Sequence, residues 1–386
     1  MPEPAVHRQP LKVLEVLEAT TGGTRRHLRD LVTRLPAGRF EISVACSTRR
    51  DPHFLDDLKL MEARGIRVYE LPMQRSIRPI GDAMAFGRLL PLIRRGGFDV
   101  VHTHSSKAGF LGRLAARFAG VPRVIHTPHT FPFEMDVSRP ARFRYFQLER
   151  LAARWCDRIV CVCPSQRALA ESLTEPARVV VIENGIAARP PRDAAERRRR
   201  RRELGLAPDV PVVGVIGRFT LQKGQADFVA AARQVAARLP ETRFVLAGDG
   251  ELKPRLERMI LAAGLKDRFT LVEAREDGPE LLPVLDVAAL PSLWEGLPYV
   301  LLDAMAAERA VVASRVGGMS DVIEDGVDGL LVPPKDPAAL AEAMMKLVDN
   351  EELRSKMGKH ARETVMSRYG IDKMIGRLAA LYEGAL

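Results

Sequence analysis

Two carboxylates and two cations in the C-terminal half stand out by type and spacing. Glu295 lies in a short loop with Trp294 and Gly296, and Asp303 follows inside an apolar, helix-forming run (Leu301, Leu302, Ala304, Met305, Ala306, Ala307). Pro298 between them suits the first helical position, where its missing N–H costs nothing. Free N–H groups and the helix dipole behind a glycine-bearing loop favour a bound phosphate. From Pro298 to Asp303 the helix rises about 7–8 Å at ~1.5 Å per residue. That separation suits a ligand with hydroxyl-bearing groups at both ends and a diphosphate between, as in a nucleotide sugar. The same acids read equally well as helix-start residues favoured by the dipole. Arg218 and Lys223, in GRFTLQKG (217–224), follow a strand end on a flexible turn. Two cations so spaced can close around a diphosphate, Arg by forked hydrogen bonds and Lys as a point charge. Isolated loop cations are otherwise solvated.

Positioning such loops calls for strands that end beside one another. Strand patterns at 12–19, 40–47, 66–72, 98–104, 123–130, 157–165 and 178–186 alternate with helical patterns at 25–35, 53–64, 105–120 and 139–156. The alternation resumes with strands at 210–219, 243–250, 269–274, 287–292 and 310–313, and with helices at 225–239, 251–263, 336–350, 352–368 and 372–386. This order predicts an α/β chain with parallel sheets covered on both faces. We expect an N-terminal domain over 1–187, a basic linker over 188–209, a C-terminal domain over 210–370 and a last helix over 371–386. The linker holds six consecutive arginines, Arg197–Arg202, expected on a solvated helix face or against lipid head groups.

At 386 residues the chain has material for two ordinary cores. No apolar run reaches the ~18–20 residues that span a bilayer, and the N-terminus moves straight into a strand, so a cytoplasmic protein is expected. Four cysteines (Cys46, Cys156, Cys161, Cys163) show no metal-ligand spacing and read as reduced, packed thiols. The net charge of +10 is uneven: residues 1–190 hold thirty Lys and Arg against nineteen Asp and Glu. No zinc knuckle, recognition helix or aromatic-basic interleaving accompanies it, so nucleic acid is not an expected partner. An anionic membrane surface or a phosphate-bearing acceptor fits the basic half, as does arginine spent on solvated faces.

The stretch Pro291–Pro334 resembles the donor-binding segment of retaining glycosyltransferases of the GT-B fold, family four. That family carries E-x7-E, with the first acid at the donor sugar and the second at the ribose; here the pair is Glu295 and Asp303, the second acid shorter by a methylene. GRFTLQKG resembles the family's G-R-x4-K-G motif, whose Arg and Lys bind the donor diphosphate, here Arg218 and Lys223 after Gly217. GDG (248–250) matches a further hallmark, with Gly248 at a tight turn near the nucleotide. The resemblance also places Gly296, Leu297, Pro298, Tyr299, Val300 and Leu301 along the donor and main-chain groups near Arg275 at the base, although Ala274 stands where the family has glycine.

In the N-terminal half, Gly22 and Gly23 in TGGTRRH look like the family's glycine-rich loop near the donor phosphates. The stretch 102–133 resembles the subgroup acting in bacterial polysaccharide assembly. His129 falls on the histidine of its T-x-H-G motif, beside the donor sugar and phosphate, with Thr130 in place of the glycine. His104 and Lys107 are candidate acceptor contacts. His102, His104 and His126 read otherwise as hydrogen-bonded strand-end histidines, and Lys107 as a solvated lysine. ENGI (183–186) resembles the crossing between domains.

The resemblance implies two Rossmann-like domains facing a central cleft, a last helix crossing back to the N-terminal domain, and hexosyl transfer from a UDP- or GDP-sugar with retention. His129, Arg218, Lys223 and Glu295 would carry the chemistry without a cofactor, and without a metal, since no D-x-D motif occurs. A polyprenyl-linked oligosaccharide at the inner membrane face is the expected acceptor. A nucleotide-sugar epimerase of the same fold and a non-catalytic basic binding protein are the alternative readings.

Overall fold

The computed structural model describes residues 9–51, 53–188, 194–273 and 279–386. The chain divides into two units: Met1–Val162 with Arg167–Ile182 and Ile375–Leu386, and Cys163–Gln166 with Glu183–Met374.

The first unit contains β1 (Leu11–Leu17), α1 (Gly22–Arg34), β2 (Phe40–Cys46), α2 (Phe54–Glu62), β3 (Arg67–Glu70), α3 (Pro79–Gly96), β4 (Val100–His104), α4 (Ser106–Ala119), β5 (Arg123–Thr127), α5 (Arg139–Ala153) and β6 (Arg158–Cys161). After α6 (Ser165–Glu171), β7 (Val179–Val181) completes a seven-stranded sheet of order β3-β2-β1-β4-β5-β6-β7. Every pairing in it is parallel. Central strands such as β4, VVHTH, are buried throughout because helices cover both faces. The four cysteines are free and buried, and burial pushes the Cys46 thiol up to about 12.

Two differences from the sequence reading arise in this unit. Helix α3 was not expected: Gly81, Gly87 and Pro91 break its periodicity, yet Ala85, Leu89 and Ile93 still bury one stripe. Gly22 and Gly23, expected in a loop, open helix α1, Gly22 with φ +58°.

The second unit contains α7 (Ala194–Glu203), β8 (Val212–Ile216), α8 (Gln225–Arg238), β9 (Arg243–Ala247), α9 (Lys253–Ala262), β10 (Phe269–Val272), β11 (Val287–Leu290), α10 (Tyr299–Ala306), β12 (Ala310–Ser314), α11 (Gly317–Val322), β13 (Leu330–Val332), α12 (Pro337–Asp349) and α13 (Glu351–Arg368). Its six strands follow the order β10-β9-β8-β11-β12-β13, again all parallel. The arginine-rich segment is not simply a solvated face. Arg201 is fully buried and donates to the carbonyls of Val284, Pro208 and Val210 and to Asp286 Oδ2, at 2.9, 2.6, 2.9 and 2.7 Å. Arg199 and Arg200 stay more exposed and pair with Glu203. Buried Arg201 thus anchors α7 to the segment entering β11, with Arg197 also pairing with Asp286, a role that the run of identical neighbours conceals in the sequence.

The last helix, α14 (Ile371–Glu383), belongs to the first unit from Ile375 onward. There Tyr382 is buried, its hydroxyl donating to Glu15 Oε1 at 2.7 Å and lying 2.6 Å from His102 Nδ1. Burial and the Glu15 carboxylate hold the phenol well above its ordinary pKa, so it remains a neutral donor. Tyr382→Phe leaves a buried carboxylate oxygen without this donor, and a loss of about 1–3 kcal/mol is expected from urea denaturation midpoints.

Candidate functional site

In open parallel sheets, ligands bind outside the carboxyl ends of the strands where the strand order reverses. The reversal lies between β1 and β4 in the first unit and between β8 and β11 in the second. Gly22 and Gly23 follow β1, His104 and Lys107 end or follow β4, Gly217, Arg218 and Lys223 follow β8, and Glu295 to Asp303 follow β11, whereas His129 follows the neighbouring β5 and Gly248 follows β9.

In the second unit, Gly217 follows β8, and a short turn brings Gln222 and Lys223 to the loop after β11. Lys223 Nζ donates to Glu295 Oε1 at 2.6 Å, and Gln222 Nε2 donates to Glu295 Oε2 and to the Trp294 carbonyl, both at 3.1 Å. The Leu293 N–H closes the join on the Gln222 carbonyl at 2.7 Å. Glu295 is 6% exposed, so each of its oxygens needs such a donor. The motif cation and the motif acid, 72 positions apart in the chain, are therefore one ion pair. Gln222 was missed by the sequence reading; its only signal was adjacency to Lys223. Arg218 stands beside this turn, partly buried, its carbonyl accepting from Gln225 Nε2 at 2.7 Å.

Pro298 is the N-cap of α10 and not its first residue, because its ψ of 129° is extended; Tyr299 begins the helix. The side chains of Leu297, Tyr299 and Leu301 are buried, and Val300 is partly so. With their side chains committed to packing, buried members of this run can meet a ligand chiefly through backbone groups at the helix start. Asp303 is buried in the second turn of α10. Asn184 of the ENGI segment donates from Nδ2 to the Leu297 carbonyl at 2.8 Å, a support for the loop that the sequence reading did not identify. Gly248, with φ +149°, lies so close to the first loop that a Cβ there would come within 2.1 Å of the Gly217 carbonyl oxygen. Arg275 lies outside the described residues.

The loop is held from below by α11. The Gly318 N–H donates to the Gly296 carbonyl at 2.8 Å, and a Cβ on Gly317 (φ +43°) would lie 1.9 Å from the Glu295 carbonyl oxygen. Gly317→Ala must push this loop away. We expect a loss of more than ~1 kcal/mol in thermal unfolding together with weakened ligand binding.

In the first unit, β1 and β4 pair so that Glu15 lies opposite His102 and Leu17 opposite His104. His104 Nε2 is 2.7 Å from Glu15 Oε2, and its Nδ1 is 3.1 Å from His129 Nε2. His27, from the second turn of α1, packs its ring edge-on to His129 with centroids 4.9 Å apart. His129 is partly exposed and adopts φ +59°, a conformation uncommon for a residue with a Cβ. Burial and the neighbouring His27, His104 and His126 hold its pKa well below the ordinary histidine value, so the neutral ring prevails near pH 7. His102 bonds to Thr127 Oγ1 at 2.8 Å as well as to Tyr382, and His126 to Thr103 Oγ1 at 3.0 Å. Lys107 is not solvated: it is nearly buried and ion-paired with Asp82 of α3. Glu15 and Tyr382 were missed by the sequence reading because they lie outside every motif, brought together only by strand order and the returning last helix; His27 closes TGGTRRH, but only its glycines drew attention.

Comparison with known proteins agrees with this fold. The model described as "Glycosyl transferases group 1" matches residues 196–364, and that described as "Glycosyltransferase Family 4" matches residues 21–189. The chain is 32% identical to the UDP-Gal:alpha-D-GlcNAc-diphosphoundecaprenol alpha-1,3-galactosyltransferase of Escherichia coli, over 90% of both chains. It is 30% identical to a D-inositol 3-phosphate glycosyltransferase of Acidothermus cellulolyticus, over 99% of this chain and 89% of that one. Among solved structures, Anabaena Alr3699/HepE in complex with UDP and glucose superimposes with a TM-score of 0.82 at 20% identity, covering 97% of this chain and 100% of the other. The sheet topology, the paired motif residues and these matches together establish that the chain belongs to the group 1 glycosyl transferases of glycosyltransferase family 4, with the two Rossmann-like sheets of the GT-B fold.

Proposed function

We propose that the protein transfers a hexosyl unit from a UDP-sugar to a lipid-linked saccharide, with retention at the anomeric carbon and without a metal or cofactor. The observation that carries this reading is the Lys223–Glu295 pair at the strand-order reversal of the second unit. Glu295 holds the Lys223 ammonium in place at one end, and the amides at the start of α10 lie just beyond the same loop. Lys223, Arg218 and those amides would neutralise the departing diphosphate, a stabilisation of developing charge that is commonly the largest catalytic contribution. Glu295 would also meet the donor sugar, and Asp303 the ribose. The first unit, with His104 and His129, would serve the acceptor and the sugar being moved.

Uridine is favoured over guanosine because the Escherichia coli relative is named for UDP-Gal and a diphosphoundecaprenol acceptor, and the Anabaena structure holds UDP. A lipid-linked acceptor would bring the protein to the cytoplasmic membrane face, for which the basic first half is suited. Among the described residues no helix is long and apolar enough to cross a membrane.

The test is a thermal-shift screen against UDP- and GDP-sugars, followed by product analysis. A bound ligand raises the melting temperature by mass action, by about 2.7 kcal/mol of added stability at a hundredfold excess over Kd. UDP-sugars should stabilise the protein and GDP-sugars should not. Donor incubated alone should stay unisomerised; isomerisation would instead identify an epimerase. Stabilisation by neither class would remove the reading.

A further inference from the structure

Outside the donor loops, the carboxyl ends of β1, β4 and β5 gather three imidazoles. One ring nitrogen each of His27, His104 and His129 lies within 4.8 Å of the other two. We propose that these three histidines form a binding site for a divalent transition-metal ion, zinc being the fitting one; the transfer reaction does not require it, and a bound ion would occupy the His104 and His129 nitrogens that the reading above gives to the acceptor and the moved sugar.

Three features of the cluster support the site. First, His104 Nδ1 and His129 Nε2 are 3.1 Å apart. Two nitrogens at ~2.0–2.1 Å from a tetrahedral zinc stand about 3.3 Å apart, so these two need almost no movement to share an ion. His27, held on α1, needs only a side-chain adjustment to supply the third nitrogen.

Second, the opposite nitrogen of His104 faces a carboxylate. His104 Nε2 donates to Glu15 Oε2 at 2.7 Å, which leaves the Nδ1 lone pair turned toward His129. A metal-bound histidine characteristically donates its other ring N–H to such a carboxylate, which fixes the tautomer and raises ligand basicity. Glu15 is itself fully buried and held by the Tyr382 hydroxyl at 2.7 Å. Glu15, His102 and His104 also come close together, but all three are fully buried and His102 is committed to Tyr382 and Thr127. That trio supports the site and does not form it.

Third, an all-imidazole donor set suits zinc, copper or nickel and disfavours magnesium or calcium, which take oxygen. His27 and His104 are buried whereas His129 is partly exposed, which leaves a way in for the ion and for a water as fourth ligand. On binding, the proton that His129 Nε2 gives to His104 Nδ1 leaves and one returns from solvent to His129 Nδ1, so both rings stay neutral and each ligating nitrogen gives its lone pair to the metal.

The experiment is equilibrium dialysis of the chelator-stripped full chain against zinc chloride, with magnesium chloride in parallel and bound metal quantified. One zinc per chain and no bound magnesium are expected. His27→Gln and His129→Asn should each weaken zinc binding at least ~10-fold, and Glu15→Gln about 10–100-fold through loss of the carboxylate partner. His129→Asn is the variant least prone to misfold, because asparagine tolerates the left-handed backbone at this position. His53→Ala, at an exposed position, should bind as wild type. Failure of the wild type to take up one zinc, or undiminished uptake by folded His129→Asn protein as judged by circular dichroism, overturns the site. The readout uses neither donor nor acceptor, so its failure leaves the transfer reading standing and failure of transfer leaves the zinc site standing.

Discussion

Lys223→Ala is expected to lower kcat/KM for sugar transfer by about 10²–10³-fold, the loss typical of removing one preorganised group that stabilises developing negative charge. The same change disturbs folding. Glu295 is buried and receives donors only from Lys223 and Gln222 among the bonds described, so removing the ammonium strips one carboxylate oxygen of its partner. That cost is about 1–3 kcal/mol. The two effects separate in the double variant Lys223→Met with Glu295→Gln, which removes both charges and keeps the volumes. Its melting temperature should return most of the way to wild type while turnover stays low. A double variant that recovers turnover along with stability would show that the pair only braces the loop.

The second large effect lies away from the site. Asp286→Ala is expected to destabilise the protein by about 3–5 kcal/mol, because it leaves the fully buried Arg201 guanidinium without its counter-charge. The same carboxylate pairs with Arg197 and accepts from the Val212 N–H at 2.8 Å, so it ties α7 and β8 to the start of β11. Burial alone would raise the Asp286 pKa, but the charges of Arg201 and Arg197 and the bonds from the Val212 N–H and Arg201 more than offset it and hold the carboxyl below the usual aspartate value. A depressed carboxyl pKa contributes stability that is complete above the unfolded-state value and is lost as pH falls through the folded one. Urea midpoints of the wild type should therefore fall below about pH 4 more steeply than those of Asp286→Asn, which has no charge to lose. Parallel acid limbs for the two proteins would contradict this.

Much of the fold was readable because parallel strands buried on both faces are short apolar runs, and VVGVI, RFVLA and VAAL could be little else. The helix between 79 and 96 escaped because two glycines and a proline blur its period, although packing of one stripe outweighs their propensity cost. The motif loops were readable for a related reason: glycine, proline and charge cluster where a chain must turn tightly, and those constraints act within a few residues.

Residue type and local spacing thus determined the alternating strands and helices and the motif loops with their cations and acids. Only the tertiary structure decided that Lys223 and Glu295 neutralise one another, that Arg201 alone among six arginines is buried, and that Tyr382 reaches back to Glu15 and its histidines. Those contacts depend on strand order and on which helix returns to which sheet. They are set by burial of whole faces, where a charge is tolerated only if a partner from a distant part of the chain arrives with it.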